Sequence, residues 1–238
     1  TTAEDVASLR RSYDTIFAAH AGREAGDEFD LAGTDEDDKP AVLPQILNPT
    51  RYAPEMNNCL LLVNATHIAK QLLGNNAICE IAHAILKPAG TGAETPWHQD
   101  AAYWDPSFIY NSISIWVPLQ EATMENGCME FVPGSHQLDV LSHRHLNNDP
   151  RIHALELTSQ DMHHVSKQAP CPLPPGGATV HGAYMLHHTG PNTSSIPRRA
   201  LILKAEMPPV KRPASRTFPW QEQTATNREK RARTQTSS

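Results

Sequence analysis

Apolar side chains fall at helical spacing in two stretches of the first third of the chain, and then the spacing changes to two. Val6, Leu9, Tyr13, Ile16 and Phe17 recur every three to four residues behind Thr2 and Asp5, a pair able to cap a helix start. A second helix is predicted from near Pro54, a residue suited to a first helical turn, to just before Gly74. Leu61, Ala65, Ile68, Ala69 and Leu72 line one side of it, which would pack on the outside of a sheet. Between the two helices, residues 21–39 carry Asp27, Glu28, Asp30, Asp35, Glu36, Asp37 and Asp38. They lack the alternating ligand positions of a calcium loop and read as a solvated acidic loop.

From Ala77 to Leu86 the chain is β-branched and apolar, and a strict alternation puts Cys79, Ile81, His83 and Ile85 on one face. Over 111–119, Ile113, Ile115, Val117 and Leu119 make an apolar face while Ser112, Ser114 and Trp116 make the other, as in a wall with a packed side and a cavity side. Asn126-Gly127 predicts a hairpin from this strand to 128–132. Further strands are expected at 178–186 and 199–206. Short strands with Gly and Pro punctuation and no intervening periodic helix indicate an all-β antiparallel core with flanking helices. The organisation is then helical framing and acidic loop over 1–76, a β core over 77–206 interrupted by an insertion at 137–170, and a tail at 207–238. In 211–238 seven Lys/Arg face two Glu, so the tail is expected to be basic and partly mobile, with Phe218, Pro219 and Trp220 able to anchor its first half.

Composition narrows the function more than the fold. The 238 residues are 39% hydrophobic and 19% charged, enough for one core, and the net charge of −6 speaks against a nucleic-acid partner. A small-molecule substrate fits better. Cys59, Cys79, Cys128 and Cys171 form no C-x-x-C pair, so reduced thiols and a cytoplasmic location are expected, and no stretch approaches the length of a membrane span.

The chemistry lies in His98-Gln99-Asp100. Residues two apart on a strand share a face, so His98 and Asp100 can grip one ion while a histidine from a distant strand adds a third ligand. Two histidines and a carboxylate with open positions form the ligand set of non-haem iron(II) oxygenases. The surroundings are specific: Pro96-Trp97-His98-Gln99-Asp100, Ser114-Ile115-Trp116-Val117-Pro118, Glu125-Asn126-Gly127-Cys128, Val132-Pro133-Gly134-Ser135-His136, Gly176-Gly177-Ala178-Thr179-Val180-His181, then His187-His188-Thr189-Gly190-Pro191-Asn192 and Arg198. In this order, over about residues 78–206, these blocks resemble the phytanoyl-CoA dioxygenase family of iron(II)- and 2-oxoglutarate-dependent oxygenases.

The resemblance implies a double-stranded β-helix (jelly roll, cupin-like) and assigns roles. His98, Asp100 and His187 would hold Fe(II), leaving positions for 2-oxoglutarate and O2. His187 starts the family's His-X-Ser/Thr/Ala-Gly-X-Asn segment, and His188 must point to the opposite strand face. Arg198, eleven residues on, matches the arginine that pairs with the far carboxylate of 2-oxoglutarate; Arg199 would then point outward. Thr189 matches the hydroxyl that assists it, Trp116 a tryptophan lining the cosubstrate pocket, and Gln99 is placed with this cosubstrate-binding group. Tyr103 and Trp104 occupy positions that commonly face substrate. Gly176-Gly177 departs from the family's frequent Gly-Asp, and Asp100 differs from the small residue of the related halogenases. The expected activity is hydroxylation of a C–H bond of a small organic metabolite with release of succinate and CO2. The alternative is a non-catalytic jelly-roll protein that binds a metal or ligand.

Overall fold

A computed structural model describes residues 1–236. The first helix, α1 (Ala3–Ala18), starts as predicted, with the Thr2 hydroxyl accepting from the Asp5 N–H. It buries Val6, Leu9, Tyr13 and Ile16. The strands β1 (Glu28–Asp30) and β2 (Pro44–Leu47) follow, then α2 (Leu60–Leu73). Pro54 opens a separate short 3-10 turn, Pro54–Asn58, and α2 itself is capped by the Cys59 thiol. On α2 the buried stripe is Leu61, Ala65 and Ala69; Ile68 and Leu72, predicted on that side, are 36% and 60% exposed.

The core strands come next: β3 (Ile78–Lys87), β4 (Thr95–His98), β5 (Phe108–Ile109), β6 (Ser112–Pro118) and β7 (Met129–Phe131). Then come β8 (His143–His145), β9 (Leu155–Leu157), β10 (Ala169–Cys171), β11 (Thr179–Gly182), β12 (His187–Thr189), β13 (Arg198–Glu206) and β14 (Val210–Lys211). A six-stranded sheet has the order β1-β2-β3-β13-β6-β11 and a four-stranded sheet the order β10-β7-β12-β4, with antiparallel pairing throughout. The chain forms the expected jelly roll. Helices α1 and α2 cover the outer face of the larger sheet, where Ile113, Ile115, Val117 and Leu119 of the β6 region meet Leu201 and Leu203 of β13. Ser114 and Trp116 face inward, as the alternation predicts.

Three expectations are corrected. The register between β3 and β13 shifts between Ile202 and Leu203, with a break opposite Ala82. The break splits the predicted face: Cys79 and Ile81 pack toward the helices, while His83 and Ile85 line the interior. A bulge reverses the parity of a strand, and no composition signal marks it. Second, Asn126-Gly127 makes no hairpin, because β6 and β7 belong to different sheets. The Asn126 side chain accepts from the Thr123 N–H and donates to the Glu121 carbonyl, and Gly127 takes φ +80° where a Cβ would collide with the Gly190 carbonyl oxygen. The pair shapes a crossing loop instead.

Third, the acidic loop is not simply solvated. Asp30 and Asp35 are buried; Asp30 accepts from the Ala32, Val42 and Leu43 N–H groups. Asp35 accepts from the Asp30 N–H and pairs with both Arg23 and Arg231. Arg231 belongs to the tail. Residues 207–236 carry α3 (Pro219–Glu222) and α4 (Asn227–Thr236) and dock on the body, so the described part of the tail is packed structure. Phe218 and Trp220 anchor it as expected, stacked at 4.6 Å, with the Trp220 indole N–H donating to the Ala102 carbonyl. The insertion's strands β8 and β9 form a hairpin; β10 already belongs to the smaller sheet.

Asp35→Ala leaves two arginines without their shared carboxylate, and breaking such a partly buried network costs about 3–5 kcal/mol. Chemical denaturation should show a loss of that order. Hydrogen exchange should accelerate over 227–236 ahead of the sheets.

Candidate active site

His98 and His187 are cross-strand partners, His98 at the end of β4 and His187 at the start of β12. The His98 Nδ1 lies 2.7 Å from the Pro96 carbonyl oxygen and the His187 Nδ1 lies 2.9 Å from that of Met185. A carbonyl only accepts, so in both rings Nδ1 carries the proton and Nε2 presents its lone pair. Asp100, at the first position of a 3-10 turn (Asp100–Tyr103), places Oδ1 3.8 Å from the His98 Nε2 and 3.5 Å from the His187 Nε2. One ligand atom from each residue lies within 4.8 Å of the others. This donor set fits one iron(II) ion with positions left open.

The second oxygen of Asp100 is held by residues that the sequence reading did not single out. Ser114 of β6 donates to Oδ2 at 2.5 Å, and the His181 Nε2 of the neighbouring β11 lies 3.6 Å from the same oxygen. Ser114 was legible as a cavity-facing residue; nothing in the pattern tied His181 to Asp100. Burial raises the Asp100 carboxyl, and attraction to His187, His181 and His98 in their protonated forms lowers it, so it lies below the ordinary carboxylate range whenever those rings are charged. It is an anion in the folded protein. Burial lowers both ligand histidines below the ordinary imidazole value, which keeps them neutral and able to coordinate.

The cavity around this triad has a volume of about 390 Å³. Trp116, Thr189 and Arg198 line it together, as do Tyr103 and Trp104. Arg198 is 1% exposed, with its guanidinium carbon 5.3 Å above the Trp116 ring. Its Nε and Nη1 are buried without a hydrogen-bond partner, as is the Thr189 hydroxyl. Burial pushes the Arg198 pKa down to about 10, still leaving it a cation. Buried donors with no acceptor beside a buried cation are the cradle a carboxylate would fill, which fits the far end of 2-oxoglutarate. Arg199 alternates outward and pairs with Asp14 of α1 at 2.6 Å. Asn192 donates to the Lys87, Pro88 and Ile196 carbonyls and so fixes the loop between His187 and Arg198. The buried Lys87 amine, pushed down to about 6 by burial and by Arg198, donates to the Ala93, Thr189 and Gly190 carbonyls and clamps the end of β12.

Gln99 is turned away from the cosubstrate group in which the sequence reading placed it. Its amide nitrogen donates to the Asp139 and Tyr184 carbonyls and its oxygen accepts from the Leu141 N–H. Gln99 joins the end of β4 to the turn that begins at Asp100, and its extended backbone turns its side chain away from the triad, where it staples the insertion to that turn. His188 likewise faces away from the triad, against Glu130 at 3.1 Å and stacked on Trp97 at 4.3 Å.

A profile of the phytanoyl-CoA dioxygenase family matches residues 1–200, and the chain belongs to that family. It is 26% identical over 209 residues to a probable alpha-ketoglutarate-dependent hypophosphite dioxygenase of Stutzerimonas stutzeri, covering 85% of this chain and 70% of that one. It is 33% identical over 135 residues to a methylphosphonate hydroxylase of Gimesia maris, covering 57% and 47% of the two chains. The chain spans about half the length of several such curated relatives. Among solved structures it is similar to EvdO2 from Micromonospora carbonacea var. aurantiaca complexed with 2-oxoglutarate, with 36% identity, a TM-score of 0.76, and 92% and 88% of the two chains covered. The family match and these similarities support an iron(II)- and 2-oxoglutarate-dependent oxygenase.

Three outcomes are expected. His187→Ala should abolish iron(II) binding measured by anaerobic titration while the fold persists, whereas His188→Ala should leave most of it. Arg198→Ala removes a charge-assisted pair worth about 1.5–3 kcal/mol and should weaken 2-oxoglutarate binding by about tenfold or more, with Arg199→Ala changing it little. The third concerns pH. Burial depresses His83 and His143 to about 4 and His153 to about 3, below the 6.5 of the free side chain. Between these values the unfolded chain binds protons that the fold does not, so stability is full above 6.5 and falls as pH drops below it. Each histidine contributes a slope of up to ~1.4 kcal/mol per pH unit, readable from denaturation midpoints at several pH values.

Proposed function

We propose that this protein hydroxylates a C–H bond of a small organic metabolite, coupled to conversion of 2-oxoglutarate and O2 to succinate and CO2. The observation that carries the reading is the joint presence, in one cavity, of the neutral His98 and His187, the anionic Asp100 and the acceptor-less Arg198 and Thr189 donors. Iron(II) with 2-oxoglutarate supplies O2 activation at such a site. The chain's own work is placement. His98, Asp100 and His187 present three donors and leave the remaining positions open. Ser114 holds the second oxygen of the Asp100 carboxylate, with the His181 ring packed 3.6 Å from it, and leaves Oδ1 toward the two histidines. Arg198 and Thr189 orient the cosubstrate from its far carboxylate.

Tyr103 and Trp104 form the wall that a substrate would meet. The Tyr103 hydroxyl accepts from the Leu155 N–H and its ring lies edge-on to His98 at 5.7 Å, so this wall is rigidly tied to the insertion and to a ligand. Trp104 carries Lys204 over its face at 4.6 Å. Substrates named for the relatives are small, and a cavity of about 390 Å³ suits a compact molecule beside 2-oxoglutarate. No helix among the described residues is long and apolar enough to cross a membrane. A reducing, cytoplasmic setting suits both an iron(II) site and four free cysteines.

A metabolite library added to the iron- and 2-oxoglutarate-loaded chain should reveal compounds that accelerate O2-dependent succinate release, with a product heavier by one oxygen. Failure of the chain to bind iron(II) and 2-oxoglutarate together would overturn the reading.

A further inference from the structure

The C-terminal segment contributes to the wall of the cavity that holds the triad, and one of its side chains lines that cavity. Arg228, in the first turn of α4, lines the cavity that contains the His98, Asp100 and His187 triad. A ladder of rings connects the two. His98 meets Tyr103 at 5.7 Å, Tyr103 stacks on His153 at 5.6 Å, His153 meets Phe29 at 4.8 Å, and the Arg228 guanidinium lies 5.2 Å from the Phe29 ring. Arg228 thus sits across the substrate wall from the metal ligands.

Its backbone is firmly held. The Asn227 amide donates to the Thr34 and Asp35 carbonyls, Arg231 pairs with Asp35, and the Ala225 N–H donates to the Pro150 carbonyl. The Arg228 carbonyl oxygen lies against Gly26 (φ +74°), where any Cβ would come within 2.5 Å of it. So much anchoring on both sides of one residue fixes where its side chain goes.

The charge on the cavity wall is lopsided. Asp100 is its only carboxylate among the described residues, and Asp100 is committed to the metal. Of the three Lys/Arg on the wall, Arg198 is matched by the far carboxylate of 2-oxoglutarate, and Lys204 pairs with Glu206 at 2.8 Å. Among the described residues Arg228 makes no ion pair within 4.0 Å, with Glu229 and Asp27 acting on it only from farther off, and its Nε is buried with no hydrogen-bond partner. The Phe29 face offsets part of the cost of desolvating a guanidinium but supplies no acceptor for its N–H groups. A guanidinium that lines a substrate cavity with its buried Nε lacking an acceptor is suited to an oxyanion.

We infer that Arg228 is the specificity-determining anchor of the substrate, binding an oxyanion (a carboxylate or a phosphonate) at a place on the cavity wall separate from the Arg198 carboxylate site. The inference rests on the oxygenase reading above and names the substrate class for the same cavity. With its anion on Arg228, the substrate's hydrocarbon portion lies along His153 and Tyr103 and its distal C–H bonds approach the metal position. The tail therefore completes the site, and the substrate carries at least one negative charge remote from the carbon that reacts.

The test uses three isosteric probes, benzoate, phenylphosphonate and benzamide, titrated calorimetrically into the anaerobic full chain loaded with iron(II) and saturating 2-oxoglutarate. At least one of the two anions should bind about tenfold or more tightly than neutral benzamide, and the stronger anion identifies the headgroup. Arg228→Gln should abolish that preference, and Arg228→Lys should keep part of it. In both variants the affinity for 2-oxoglutarate, measured in the same series, should stay as in the parent chain. Benzamide binding as tightly as both anions, an anion preference that survives Arg228→Gln, or binding of none of the probes at millimolar concentration overturns the inference. An anion that binds only by displacing 2-oxoglutarate also overturns it, since that anion has gone to Arg198. Failure to load 2-oxoglutarate in the parent chain would instead sink the oxygenase reading itself.

Discussion

Antiparallel pairing of His98 with His187 is the contact on which the rest of the site depends. The two residues enter from strands 89 positions apart in sequence, and only the register of β4 against β12 brings their rings to a centroid separation of 4.2 Å. A slip of one residue would turn each imidazole to the opposite face and bring Gln99 and His188 inward. Several bonds guard against that slip. Lys87 clamps the carbonyls at the end of β12, Gln99 staples the far side of the ligand turn, and Asn192 pins the loop that leads to Arg198. These bonds are made by residues beside the three candidate ligands and add to the ligands' own bonds to the Pro96 and Met185 carbonyls and to Ser114.

Around that pair the two sheets divide the labour. The smaller sheet supplies the imidazoles, already in the tautomer a metal needs because each Nδ1 is spent on a carbonyl. The larger sheet supplies Ser114, His181, Trp116 and Arg198, so the carboxylate orientation and the cosubstrate anchor come from the opposite wall. Arg198 and Lys87 are buried partners across β13 and β3, and burial together with the neighbouring Arg198 pushes the Lys87 amine down to about 6, so Arg198 alone carries a full charge at neutral pH that a carboxylate in the cavity would match.

Much of this was legible because the groups are local in sequence or tied to a strict alternation. His98 and Asp100 lie two residues apart within a specific block, and strand parity says that only one of Arg198 and Arg199 faces the cavity; the choice of Arg198 came from the spacing that the family resemblance supplies, and Arg199 pairs with Asp14 of α1. Ser114 was visible as cavity-facing, without its partner. The parity of β3 was not legible, since the break at Ala82 changes no composition, and the same break turns His83 inward. Nor was the acidic loop: Asp30 and Asp35 look like solvated charge until the N–H groups of Val42 and Leu43 and the guanidinium of Arg231 are brought to them from elsewhere in the chain. The tail was hardest to read. Its basic residues have no apolar periodicity because their fold is dictated by pairing with Asp35 and by the Gly26 approach, long-range contacts with no local signature.

The most direct test of this account is a crystal structure of the chain grown anaerobically with manganese(II), a redox-inert stand-in for iron(II), and 2-oxoglutarate. The account predicts one metal ion ligated by Nε2 of His98, Oδ1 of Asp100 and Nε2 of His187, with 2-oxoglutarate completing its shell and placing its far carboxylate on Arg198 and Thr189. A metal ligated by His181 or His188 in place of His187, or a cosubstrate carboxylate bound away from Arg198, would contradict it.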